Sequence, residues 1–119
     1  MASHQPSRLA SFYAELLGVQ ASEGLNQWHW LIPLAEGISM EIYRPSRSRP
    51  FPERGRCLAP CLRLQASGEP LLLLQSMIPD LLNRGASVLE PPRQERFGAE
   101  TWIHDPEGNA VLLVVPFTD

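Results

Sequence analysis

The chain has 119 residues, which is enough to bury one core and too few for two large domains. Its 44% hydrophobic and 19% charged residues are those of a globular protein and argue against disorder. A net charge of -3 provides no positive field for nucleic acid or anionic lipid, and the longest apolar runs are far too short for a membrane span, so the expected setting is cytoplasmic with neither partner.

Leu9, Phe12, Tyr13, Leu16 and Leu17 recur on one helical face, which predicts a helix over 7–17 with the Ser7 hydroxyl capping its first turn. Gly18 stands at the stop position. Strands are expected near 19–23, over 27–34 and over 38–43, with Glu36-Gly37 as the hairpin turn between the last two. The stretch 44–56, reading RPSRSRPFPERGR, carries three prolines that a sheet interior does not accept and arginines that favour water, so it reads as a linker. A strand over 56–65 and a helix over 69–84 follow, with Gly85 at the helix stop and Pro79 predicting a kink or a break into two short helices. Further strands are expected over 87–90, 100–103 and 110–115. A loop through Pro91, Pro92 and Phe97-Gly98 and a tight turn over 105–109 separate them.

The order is helix, three strands, linker, strand, helix, three strands, which describes two similar modules at about 1–43 and 57–119. Symmetry asks for one more strand before the first helix, and residues 1–6 leave almost no room for it. Three completions are open: an upstream start, a partner chain, or an open edge whose unpaired backbone groups favour a homodimer. Cys57 and Cys61, four residues apart on an expected strand, lie about 13 Å apart along it and read as ordinary thiols.

Three fragments in this order carry a resemblance: SFYAELLG at 11–18, NRGA at 83–86 followed by Pro91-Pro92, and DPEGN at 105–109. Together they resemble the vicinal oxygen chelate superfamily, which includes glyoxalases, bleomycin resistance proteins and extradiol dioxygenases. The resemblance implies an α+β fold of paired βαβββ modules forming an incomplete barrel with a concave cleft, here with the first strand short or missing. Metal-using members hold a divalent ion through side chains on the first, fourth, fifth and eighth strands, with coordination positions left open for two substrate oxygens. Glu41, in Ser39-Met40-Glu41-Ile42-Tyr43, matches the fourth-strand place. The fifth-strand stretch Leu58-Ala59-Pro60-Cys61-Leu62 contains no histidine, the eighth-strand place three residues beyond Asn109 is Leu112, and the first-strand place falls upstream of Met1. The resemblance therefore implies no metal site of the usual kind. A divalent metal would need a rearranged set such as Glu41, His29 and His104.

The candidate catalytic residues are Glu41 and His29, the latter as an acid or base near neutrality. The candidate ligand-binding residues are Trp28, Trp30, Glu41, Tyr43 and Trp102, the indoles lining an apolar cleft and Glu41 making a polar contact. Each has a plain structural alternative: tryptophans as core filler, Glu41 as a solvated strand carboxylate, His29 as a hydrogen-bonded strand residue, His104 as a turn-packing one. Arg44, Arg47, Arg49, Arg54 and Arg56 form the concentrated positive segment and read either as a solvated loop or as a clamp for an anion. The leading expectation is a glyoxalase-like protein that binds a small organic ligand without the usual metal. The alternatives are a metal-dependent lyase, isomerase or dioxygenase completed by a second chain or upstream segment, and a non-catalytic dimeric interaction module.

Overall fold

The computed structural model describes residues 1–48, 50–53, 55 and 59–118. The chain is α+β and divides into two compact units, 1–53 and 54–119.

In the first unit, α1 (Pro6–Leu17) is followed by β1 (Ser22–Glu23), β2 (His29–Ala35) and β3 (Ile38–Tyr43). Ser7 is not the helix cap, because Pro6 already occupies the first helical position and Gln5 precedes it without a side-chain cap. Proline has no N–H to leave unsatisfied there and its φ is already helical, so the helix begins one residue earlier than expected. Gly18 ends it at φ 68, and the Val19 N–H returns to the Ala14 carbonyl. β2 and β3 pair antiparallel through the two-residue turn Glu36-Gly37, with Gly37 at φ 72. Their register puts Trp30, Ile32, Met40 and Ile42 on one face and His29, Leu31, Pro33, Ser39, Glu41 and Tyr43 on the other. α1 packs on β2 and β3. Leu9, Tyr13, Ile32 and Ile42 are fully buried, each contributing roughly 1.5–3 kcal/mol by leaving water.

The missing first strand is short rather than absent. Ala2 forms a parallel bridge with Tyr43; the Tyr43 N–H donates to the Met1 carbonyl and the Ser3 N–H donates to the Tyr43 carbonyl. Residues 1–3 thus line the last residues of β3, from Glu41 to Tyr43, and the unit reads as βαβββ.

The second unit runs β4 (Cys61–Arg63), α2 (Pro70–Asn83), β5 (Ser87–Glu95), β6 (Gly98–His104) and β7 (Ala110–Pro116). Its sheet order is β4-β7-β6-β5, with β4 parallel to β7 and the rest antiparallel. This repeats the order of the first unit, where the opening segment lies parallel to the last strand. α2 continues as one helix through Pro79. Leu74 and Leu81, on either side of the proline, are both buried, so packing holds the helix across the lost backbone bond. The loop expected at Pro91-Pro92 is also strand: β5 lies at the sheet edge and shifts register between Glu90 and Arg93, the setting in which prolines fit a ladder. Ala99, Thr101, Ile103, Val111, Leu113 and Val115 form the buried face, against which α2 packs.

The 105–109 turn forms as expected, around a carboxylate. Asp105 is 2% exposed, and it accepts the N–H groups of Glu107 and Asn109 at 2.9 and 3.0 Å and the Asn109 side-chain amide at 2.8 Å. Replacing Asp105 with alanine strands those donors, so the variant is expected to lose about 2 kcal/mol of unfolding free energy, read from its urea midpoint. An unchanged midpoint would show that the turn does not depend on this side chain.

Candidate functional site

Glu41 and His29 come together on the face of the first sheet opposite that of Trp30 and Ile42. They sit on neighbouring strands, His29 opposite Tyr43 and Glu41 opposite Leu31, and the His29 Nε2 to Glu41 Oε1 distance is 3.0 Å. Glu41 keeps 64% of its side chain exposed, against 17% for His29.

The loop before β2 explains the difference. The Leu25 N–H donates to His29 Nδ1 at 2.9 Å, the Gly24 N–H to the His29 carbonyl at 2.7 Å, and the His29 N–H to the Asn26 carbonyl at 3.0 Å. A β-carbon on Gly24 would fall 2.2 Å from His29 Nδ1, so glycine is what lets the imidazole lie in this loop. Because Nδ1 accepts a hydrogen bond, the network assigns the ring proton to Nε2, which donates it to Glu41. Both ring nitrogens are occupied. In this arrangement His29 pins the loop and orients Glu41, and it has no nitrogen left to take a substrate proton directly.

Beside this pair lies a hollow of about 450 Å³. His29, Trp28, Tyr43, Arg44, Asn26 and Leu25 are among the residues that line it. Trp28 stands just ahead of β2, 44% exposed, with the Arg44 guanidinium carbon 4.5 Å above its ring. Their backbones also join, the Arg44 N–H donating to the Trp28 carbonyl at 3.0 Å.

Trp30 and Trp102 are not among the described residues that line the hollow. Trp30 is across from Ile42 on the helix-covered face, its indole N–H donating to the Gln27 carbonyl at 2.9 Å. Trp102 belongs to the second unit, where alternation puts it with Glu100 and His104 on the face away from α2. Neighbouring Arg93 bonds the carboxylates of Glu100 and Glu95, and the Glu100 hydrogen bond, followed by its charge, raises the guanidinium above its ordinary pKa. Of the arginine-rich segment, Arg44 reaches the hollow and Arg47 is exposed, while Arg49, Arg54 and Arg56 fall outside the described residues, as does Cys57. Sequence patterning grouped Arg44 with the linker and did not single out Gly24, Leu25 or Asn26. The shared ladder position of Trp28 and Arg44 becomes visible only once the β2–β3 register is known.

The model of the glyoxalase-like domain family matches residues 1–114. The chain belongs to that family. Solved structures share its fold. A glyoxalase/bleomycin resistance protein from Albidiferax ferrireducens superposes with a TM-score of 0.72 at 16% identity, over 98% of this chain and 94% of that one. A glyoxalase/bleomycin resistance protein/dioxygenase family enzyme from Burkholderia phytofirmans gives 0.72 at 11% identity, over 98% and 94%. A protein from Agrobacterium tumefaciens solved by NMR gives 0.71 at 18% identity, over 99% and 93%. No curated protein matches by sequence. The assignment is consistent with the vicinal oxygen chelate superfamily, and at these identities the structures speak for the fold alone.

The described donor set of this glyoxalase-like chain does not fit the divalent metal of the metal-using members it resembles. Among the described residues no group of three or more His, Cys, Asp or Glu side chains is placed to hold an ion. In the second unit Leu112 occupies the last-strand ligand place, beside Cys61 of β4, and a hydrocarbon side chain has no lone pair to offer. Glu41 brings one carboxylate, already accepting a hydrogen bond from His29.

Proposed function

We propose that this glyoxalase-like protein binds a small organic molecule in the hollow of its first unit and does so without the divalent metal of its metal-using relatives. The supporting observation is the hollow itself. Its volume of about 450 Å³ is in the range of small-molecule sites, roughly 300–1,000 Å³, and it joins two aromatic walls, Trp28 and Tyr43, to a few polar groups. Glu41 stands beside it, held by His29. The aromatic rings would supply apolar contact, and the polar groups orientation. Leucine at the last-strand ligand place supports the metal-free half of the reading.

Equilibrium dialysis of the purified protein against zinc, nickel and ferrous ions, followed by metal analysis, is expected to retain far less than one ion per chain. One tightly held divalent ion per chain would overturn the metal-free reading. Aromatic fragments that bind the protein are expected to lose that binding in the Trp28→Ala variant.

A further inference from the structure

We infer that the ligand class of this hollow is a small organic carboxylate received by Arg44, an inference that rests on the reading of the hollow as a small-molecule site. Arg44 is the one charged side chain among the described residues that line the hollow. Arg44 is held over the Trp28 ring, and a guanidinium in contact with an aromatic face keeps its N–H edge available for a planar oxyanion. The hydrogen bond between the two backbones fixes the pair from below. Among the described residues no carboxylate pairs with Arg44; the nearby acid, Glu41, is turned to His29 and is not part of the wall.

The remaining polar groups add donors. The Asn26 side-chain oxygen accepts the Trp28 N–H at 2.8 Å, which leaves its amide nitrogen to donate outward. Tyr43 brings a hydroxyl, and His29 has no nitrogen to spare. Leu25, 89% exposed, and Pro45 complete the wall with apolar surface. One cation in the wall, two donors and an apolar rim match an acid with a hydrocarbon or aromatic body.

Benzoate and its neutral isostere benzamide are the probes, titrated into ¹⁵N-labelled wild type and Arg44→Gln while the Trp28 indole resonance is followed. The amide and backbone resonances of the variant report that it is folded. Wild type is expected to bind benzoate about tenfold or more tightly than benzamide, the size of one charge-assisted contact. Arg44→Gln is expected to lose that preference. Equal binding of the two probes by the wild type, or retention of the preference in the variant, overturns the carboxylate assignment and leaves the small-molecule reading standing. Binding of neither probe at the Trp28 resonance overturns both.

Discussion

Gly98→Ala is expected to cost on the order of 4 kcal/mol or more of unfolding free energy. Gly98 opens β6 at φ 150, in a region that side-chain-bearing residues rarely adopt, directly after the Arg96-Phe97 turn. A β-carbon there would stand 2.0 Å from the Val115 carbonyl oxygen and 2.8 Å from the Pro116 α-carbon. Both are backbone atoms of the paired strand and cannot swing away as a side chain would. Relief requires parting β6 from β7, and the Phe117 N–H to Phe97 carbonyl bond of 2.7 Å closes the same corner. Circular dichroism through a urea titration reads the loss. A midpoint within error of wild type would mean that the strand pair tolerates an insertion that its geometry forbids.

Ile42→Ala comes next, at about 3 kcal/mol, within the usual cost of truncating a buried isoleucine. Ile42 is fully buried, facing the core across from Trp30, and α1 closes over that face. The position also matters for the site, because Ile42 lies between Glu41 and Tyr43, and its burial is what turns those two neighbours outward. The measurement is therefore double. Urea unfolding should show the full destabilisation, while Ile42→Val should cost only about 1 kcal/mol. The Trp28 resonance, used to follow probes, should broaden or shift in the alanine variant as the strand loosens. A stability change equal for the valine and alanine variants would contradict the packing account.

Most of the fold could be read from the amino-acid pattern, for local reasons. The helical face of Leu9, Phe12 and Tyr13, the Glu36-Gly37 turn and the 105–109 turn each depend on residues close in the chain, and each formed where expected. Misjudged points were those where distant packing overrode a local preference. Of the kink or break expected at Pro79, the break into two helices does not occur, because Leu74 and Leu81 anchor both sides, and Pro91-Pro92, expected as a loop, does not end β5, because an edge strand can spare donors. The opening strand, expected to be short or missing, is short, and three residues suffice because their partner is the end of β3. For the site, alternation correctly placed Glu41 opposite the Met40 and Ile42 face. What alternation could not reveal was the loop that encloses His29, since it rests on main-chain donors at Gly24 and Leu25 whose side chains carry no signal.

The prolines of β5 have a consequence beyond register. Successive amides along an extended strand point to opposite sides, so of the adjacent positions 91 and 92 one would have aimed its hydrogen away from β6. Neither has a hydrogen to aim. Another molecule approaching that flank cannot extend an uninterrupted ladder across it, and the longest strand of the second sheet is thereby poorly suited to seeding fibrillar aggregation.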